Sequence, residues 1–479
     1  MNSRADTFKI EAEQYRRARR TAWNAIARQS PRSWGGYYRR RLAQVYGLLI
    51  PEGARVLEIG CGRGDLLASL KPGYGLGVDF SPDMIEIARF RHPDLNFQII
   101  DVHDLDLKGA AFDFIVLSDV VNDFWDVHAA LEKIRSGCVP GTRIIFNFFS
   151  HLWERPLAWA QWLGIATPTL PQNWLTTSDL DNLLQLSGYE PLRSWSEVVA
   201  PLPLPGAGFA NRVLSKIAPF RWFAMTNFVV ARPAAEPNAQ SPVVSVVVAA
   251  RNESGHIAEL LARIPEMGAG TEILFVEGNS TDDTYEVIEK VIAANPHRNC
   301  KLIKQLGRGK GDAVRAGFVA ATGDILMILD ADISVPPEDL PRFYEVLVSG
   351  NGEFCNGVRL VYPMQDQAMR FANLVGNKFF AWAFTWLLGQ PIRDALCGTK
   401  VMWKAHYEGI RANRRYFGEF DPFGDFDLLF GAAKLNLKIM EVPIRYRARR
   451  YGDTNISRWR HGMVLLRMVI FAARRIKFV

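Results

Sequence analysis

The sequence predicts two α/β domains in series, and three observations predict it. From Arg55 onward, short apolar strands alternate with helical stretches. A Pro- and Ala-rich segment without apolar periodicity interrupts this alternation at residues 231–242. The alternation then restarts at Val243 with a fresh buried strand. Such alternation indicates βαβ units around parallel sheets, and 479 residues exceed the usual size of one domain. The expected boundaries are a first domain at 1–230 with a helical N-terminal extension, a linker at 231–242, and a second domain at 243–479 with an amphipathic tail.

Composition narrows the class. Hydrophobic residues make up 48% and charged residues 22%, which supports sizeable cores and excludes general disorder. The formal charge of +7 is modest, but arginines cluster at Arg17 to Arg20, Arg39 to Arg41 and Arg445 to Arg450. Such clusters suit phosphates, acidic lipid head groups or nucleic acid, and they equally suit a solvated face. No aromatic and basic interleaving marks a nucleic-acid module, so no nucleic acid is expected. Cys61, Cys138, Cys300, Cys355 and Cys397 fit neither a metal motif nor a disulfide framework, which suggests a reducing compartment. No signal peptide is evident. The stretch nearest to a span, Phe379 to Ile392, lacks charge but has 14 residues, fewer than the roughly 18 to 20 needed to cross a bilayer. A cytoplasmic protein, peripheral at the cytoplasmic face of a membrane, is expected.

In the first half, Val56-Leu-Glu-Ile-Gly60-Cys-Gly62-Arg-Gly64 is a strand running into a Gly-rich turn, with a helix expected from about Asp65. The glycines let backbone approach a ligand closely. A second strand ends at Gly77-Val-Asp79-Phe80-Ser81, and a third at Asp101. A carboxylate at the end of the second strand can accept hydrogen bonds from two ribose hydroxyls, and Asp101 is placed for an adenine amino group. Glu58 within the Gly-rich segment would repel a pyrophosphate but suit a cationic ligand. The spacing G-x-G-x-G, with Glu58, also departs from the dinucleotide fingerprint.

On those residues, positions 37–155 resemble the class I S-adenosylmethionine-dependent methyltransferases, which implies a Rossmann-like domain. The resemblance covers Val56 to Gly64, Gly77 to Asp79, Asp101 to Leu105 and Phe112 to Val120. It implies that Gly60 and Gly62 line the methionine part, Asp79 holds the ribose, and Asp101 with Val102 flanks the adenine. Glu58, Gly64, Phe80 and Asp119 complete the expected cofactor set. The methyl acceptor is less legible. Asp119, Asn122, Asp123 and His151 follow strands four and five, where acceptor groups sit, and His151 is a candidate base or a solvent-facing loop residue. The aromatic run Trp153 to Trp162 reads as acceptor lining or as a helix packed on the core.

In the second half, the strand Val243 to Ala249 ends at Ala250-Arg251-Asn252-Glu253, and the next ends at Val276-Glu277-Gly278-Asn279. These place polar groups at the carboxyl edge of a sheet, where α/β ligands bind. Arg308-Gly-Lys310-Gly311 combines glycines with cations, as a phosphate-contacting loop does. The apolar strand Ile325 to Leu329 runs directly into Asp330-Ala331-Asp332. Carboxylates at i and i+2 of a strand end can point the same way, and Mg²⁺ or Mn²⁺ shared with substrate phosphates would relieve their repulsion.

From Val243 to Asn455 the chain resembles the inverting family 2 glycosyltransferases, and within them the dolichyl-phosphate mannose synthase branch. This implies a GT-A-type α/β domain, a nucleotide-diphospho-sugar donor and a polyprenyl phosphate acceptor. Ala250, Asn252, Glu253, Glu277, Asn279, Lys310, Asp330 and Ala331 are then the expected donor contacts, and Asp330 and Asp332 the metal ligands, with Asp332 counted as catalytic. The chain departs from the pattern at Glu277-Gly278, which replace two adjacent Asp residues, at Asp427, which replaces Glu, and at Asn455, which replaces Lys. The resemblance also places Asp394 to Lys400 as an acceptor-side loop. If the acceptor is instead a sugar hydroxyl, Asp425 or Asp427 is the candidate base. If it is a lipid phosphate, Arg449 is placed to bind it. The aromatic stretch Phe379 to Leu388 must be buried, packed in an oligomer or in contact with lipid. The stretch Gly462 to Lys477 combines apolar residues with cations, as a segment lying in the headgroup plane does.

Overall fold

A computed structural model describes residues 2–29, 35–238, 240–359, 361, 371–414, 426–445 and 458–478. The chain divides into two compact units, with the division at Ala234/Ala235.

The first unit is a seven-stranded sheet. Its strands are β1 (Arg55–Ile59), β2 (Tyr74–Asp79), β3 (Asn96–Ile99), β4 (Phe114–Ser118), β5 (Arg143–Phe149), β6 (Tyr189–Glu197) and β7 (Thr226–Pro233), in the order β3-β2-β1-β4-β5-β7-β6. The first five are parallel, and β7 runs antiparallel between β5 and β6. Both faces are covered. Leu57, Ile59, Ile115 and Leu117 enter one core while Val56, Phe114 and Val116 enter the other, the period-two alternation of strands buried on both faces. The expected linker therefore begins too early. Residues 231–233 are the end of β7, where Ala231 is buried and Arg232 donates to Glu190 Oε2 of β6.

The second unit is a separate seven-stranded sheet. It contains β8 (Val244–Ala250), β9 (Thr271–Glu277), β10 (Asn299–Lys304), β11 (Ile325–Asp330), β12 (Phe354–Val358), β13 (Lys400–Trp403) and β14 (Ile439–Pro443), in the order β10-β9-β8-β11-β13-β12-β14. Strands β10, β9, β8 and β11 are parallel, and β13 is antiparallel to both its neighbours. Val244, Val246, Val248, Met327 and Leu329 form the middle of its core.

The apolar segment Phe379 to Leu388 lies in the helix Phe371–Leu388. Ala383, Phe384, Leu387 and Leu388 are buried, and Phe384 packs on Phe426 and Phe430. Phe379 and Trp382 remain exposed. Among the described residues, no helix is long and apolar enough to cross a membrane.

Candidate functional site

The first unit carries a cleft at the carboxyl ends of β1, β2 and β4. Gly60, Asp79, Phe80, Asp101 and Val102 line it, with Val120 and Asp123 from the segment after β4. Gly60 is required twice over. Its φ is +68°, and a Cβ there would lie 2.4 Å from the Val120 side chain. Gly62 also has positive φ, and its amide donates to Asp79 Oδ2 at 2.9 Å. Asp79 Oδ1 accepts from Ser81 N at 2.9 Å. Burial pushes the Asp79 carboxyl up to about 6 against the pull of those two amides. A carboxylate fixed in this way keeps lone pairs for hydroxyl donors, so the cleft fits a nucleoside. Asp101 Oδ1 accepts from His103 N at 3.0 Å and contacts His103 Nδ1 at 2.7 Å. Burial raises the Asp101 carboxyl, but these contacts with His103 and the charge of Arg16 outweigh it and hold the group below its usual range.

Glu58, Gly64 and Asp119, also expected at the cofactor, are not among the residues that line the cleft. Glu58 is buried beneath the turn, where its Oε2 accepts from Leu67 N at 3.0 Å in the helix Asp65–Ser69. Burial, with Asp79 and Asp65 nearby, pushes it up to about 8. Gly64 packs against Phe97 rather than on the cleft, since a Cβ there would lie 2.6 Å from that ring. Asp119 stands one residue before the cleft-lining Val120, in the left-handed region with φ +53°. Its Oδ1 accepts from Tyr38 Oη at 3.0 Å and Asn147 Nδ2 at 2.5 Å. Burial pushes its carboxyl up to about 7. A buried carboxyl of that kind, one residue from the cleft lining, makes Asp119 a candidate functional group.

The remaining acceptor candidates separate. Asn122 is fully buried and donates to Asn173 O at 2.6 Å. Asp123 accepts from Trp23 Nε1 at 3.0 Å and Gln172 Nε2 at 3.3 Å. His151 is exposed beside Glu154, 3.6 Å away, and does not line the cleft. The helix Asn2–Ala27 supplies cleft residues that motif reading missed: Tyr15, Arg16 and Arg19. Arg19 Nε donates to Asp123 O at 3.1 Å. The available signal was the i, i+4, i+8 spacing of Tyr15, Arg19 and Trp23, which places them on one helix face. His103, two residues after Asp101, was also missed.

In the second unit, strand ends converge at the carboxyl edge. Asn252 and Asn279 have φ of +56°, and Ile333, immediately after Asp332, has +53°. For a β-branched residue that conformation is an outlier, and strain gathers at functional sites. Asn252 Oδ1 accepts from Thr281 N at 2.8 Å, and its own amide donates to Ser280 Oγ at 3.0 Å. The loops after β8 and β9 are thereby stitched together. Glu253 is buried against His256, 2.9 Å away. Glu277 is buried with Oε1 accepting from Ser280 N at 2.5 Å, and Ala250 is its register partner.

Asp330 ends β11, and its Oδ1 lies 2.5 Å from Lys310 Nζ at the start of the helix Lys310–Ala320. Ala331 is buried, and Asp332 Oδ1 accepts from Ser334 N at 3.0 Å. The segment Asp394 to Lys400 closes on the same carboxylate. A Cβ at Gly398 would lie 2.3 Å from both Asp330 Oδ2 and Lys310 Nζ. Asp394 is anchored by Arg359, whose Nε and Nη2 donate at 2.7 and 2.8 Å. Two partly exposed carboxylates beside an ammonium fit a divalent cation shared with phosphate oxygens. Among the described residues, no group of three or more His, Cys, Asp or Glu forms a closed metal cage. Asp427 is paired with Arg414 at 3.2 Å. Asp425 and Arg449 lie outside the described residues.

Residues 28–194 match the family described as Methyltransferase domain, and residues 245–408 match Glycosyl transferase family 2. Two curated relatives align with nearly half of the chain. A dolichol-phosphate mannosyltransferase from Pyrococcus furiosus is 27% identical over 45% of this chain and 59% of its own length. An undecaprenyl-phosphate 4-deoxy-4-formamido-L-arabinose transferase from Klebsiella pneumoniae is 34% identical over 45% of this chain and 62% of its own length. The chain thus spans about three fifths of the length of these relatives. A solved S-adenosylmethionine dependent methyltransferase from Mesorhizobium loti is 20% identical, with a TM-score of 0.32 over 40% of this chain and 97% of that one. The chain therefore carries a methyltransferase domain followed by a family 2 glycosyltransferase domain.

Proposed function

We propose that the chain is a bifunctional transferase. In this reading the first domain methylates a small-molecule or lipid-linked glycan acceptor from S-adenosylmethionine. The second transfers a sugar, with inversion, from a nucleotide-sugar to polyprenyl phosphate at a membrane surface. One relationship carries the reading. In each domain the functional carboxylates stand at the carboxyl ends of central parallel strands, beside a glycine that lets another segment close on them. These glycines are Gly60 beside Val120 and Gly398 beside Asp330. The two relatives, a dolichol-phosphate mannosyltransferase and an undecaprenyl-phosphate 4-deoxy-4-formamido-L-arabinose transferase, support the same acceptor class here.

In the first domain, Asp79 accepts the ribose hydroxyls, Asp101 with Val102 flanks the adenine, and Gly60 and Gly62 admit the methionine part. S-adenosylmethionine supplies an electrophilic methyl group when bound. Asp119 orients the acceptor and takes its proton where the acceptor is a hydroxyl or amine. In the second domain, Asn252, Glu277 and Asn279 frame the nucleoside, Lys310 meets the phosphates, and Asp330 and Asp332 hold Mg²⁺ or Mn²⁺. That cation supplies the charge that stabilises a departing diphosphate. A polyprenyl phosphate is already anionic and needs little deprotonation, whereas a sugar hydroxyl needs a base. The ion pair of Asp427 with Arg414 favours the lipid phosphate.

Mass spectrometry of lipid-linked products from cells with and without the chain tests this. A sugar increment on polyprenyl phosphate should vanish in Asp332→Asn, and a methyl increment should vanish in Asp79→Ala. Unchanged products in both variants would overturn the reading.

A further inference from the structure

The helix Glu154–Trp162, together with residues 198–225, forms an exposed aromatic crown on the first unit. No residue of that helix is buried. Trp159 and Trp162 are 70% and 84% exposed, and Phe209, Trp222 and Phe223 each 60% or more. The two segments are neighbours. Ser150 N donates to Met225 O at 2.7 Å, and Trp153 Nε1 donates to Phe223 O at 2.9 Å. Single exposed apolar residues are ordinary, but several large exposed aromatic residues on two neighbouring segments mark an interaction surface.

Position and charge say what the crown meets. Phe149 at the end of β5 and Glu197 at the end of β6 both pair with Thr226. Both segments therefore leave the sheet at its carboxyl edge, the edge that holds the cofactor cleft. A polar row joins the two regions, for Asn147 Nδ2 donates to Asp119 Oδ1 and reaches Thr226 Oγ1 at 3.4 Å. The charge is one-sided. Residues 198–225 contain no Asp or Glu, and the helix Glu154–Trp162 carries one acid, Glu154, which lies 3.6 Å from His151. Arg155, Arg212 and Arg221 are exposed among the aromatic residues. Trp and Phe beside three exposed arginines, with Glu154 as the one acid and that beside His151, match the boundary between headgroups and acyl chains of an anionic bilayer.

We propose that this crown docks the methyltransferase domain on an anionic lipid surface, and that the methyl acceptor is carried on a lipid at that surface. The acceptor half rests on the methyltransferase reading of the domain. The docking half does not.

The test uses the full chain with phosphatidylglycerol-containing vesicles and with pure phosphatidylcholine vesicles. The variants are Trp159→Ser/Trp162→Ser and Trp222→Ser/Phe223→Ser, all at exposed positions. Wild-type protein should float with the anionic vesicles, and each double variant should lose about tenfold in partitioning. Acyl-chain-brominated lipid should quench wild-type tryptophan fluorescence, and the first variant should lose most of that quenching. Calorimetry with S-adenosylhomocysteine should give equal affinity in all three proteins. Undiminished partitioning and quenching in both variants would overturn docking. So would a wild-type oligomer that both variants dissociate while no form binds vesicles, since a second copy would then cover the crown. Absent S-adenosylhomocysteine binding in wild type would remove the methyltransferase reading and the acceptor half, with docking still decided by flotation.

Discussion

Lys310 Nζ lies 2.5 Å from Asp330 Oδ1, so the carboxylate that would meet a metal ion already holds an ammonium. The two cations compete for one oxygen. Lys310→Met should therefore tighten Mn²⁺ binding in the absence of nucleotide. An ion pair open to solvent is worth about 1 kcal/mol or less, so the gain should be about fivefold. Sugar transfer by the same variant should fall, since a phosphate contact is lost. Mn²⁺ titration followed by electron paramagnetic resonance reads the affinity. Weaker binding in the variant would show that the ammonium organises the site rather than competing for it.

Gly398→Ala should damage sugar transfer more than stability. The added methyl would meet the ends of the Asp330 and Lys310 side chains at 2.3 Å. Both can swing aside, which spares the fold but displaces the groups that hold donor phosphates. A displacement of about 1 Å in such a site can cost about 100-fold in rate. A melting temperature close to wild type, together with that loss, is the expected result. Full activity would mean that Asp330 does not act from this position.

Asp79→Ala should weaken S-adenosylmethionine binding by about 1–3 kcal/mol, the worth of hydrogen bonds to a charged acceptor. In the wild type the Asp79 carboxyl sits at about 6 because it is buried. Affinity should therefore fall as pH drops through about 6, since the protonated acid accepts ribose hydroxyls less well. Calorimetry from pH 5 to pH 8 should show this limb in wild type and lose it in Asp79→Ala.

Methyl transfer should rise with pH through about 7 if Asp119 must be ionised, since burial places its carboxyl there. Tyr38 donates to that carboxylate at 3.0 Å and lowers it. Tyr38→Phe should therefore move the limb to higher pH, and Asp119→Asn should abolish it while leaving S-adenosylhomocysteine affinity nearly unchanged. A pH profile identical in all three proteins would remove Asp119 from the proton path.

Glu58→Gln should stabilise the first domain at high pH. The folded state holds the Glu58 proton up to about 8, far above an unfolded glutamate at about 4.3. Folded Glu58 thus binds a proton that the unfolded chain releases, and its contribution is fully present below about pH 4. That contribution is lost as pH rises toward 8. Gln keeps an oxygen for Leu67 N without the titration. The melting transition that S-adenosylhomocysteine raises should match wild type at pH 5 and exceed it at pH 9.

What the sequence by itself determined was the local grammar of both domains. Arg55 to Ile59 and Ile325 to Asp330 are strands because short apolar-rich runs bounded by glycine or carboxylate turns have few other solutions. Gly60, Asp79, Asp101, Asp330 and Asp332 were legible because each follows such a run, and strand ends are where α/β sheets hold ligands. The tertiary structure decided which apolar surface is covered and which carboxylate is ionised. Residues 231–233 look like linker, but their partners lie in β5 and β6, far away in sequence. The stretch Phe379 to Leu388 is the more apolar segment, yet much of it enters the core on Phe426 and Phe430. The more polar helix Glu154–Trp162 buries none of its residues. Glu58 and Asp79 are both acids at strand ends. One lies under the turn on Leu67 N and the other faces the cleft. Apolarity and charge are properties of a residue, whereas burial and ionisation belong to its neighbours, and those neighbours are set by contacts between segments that the local sequence does not encode.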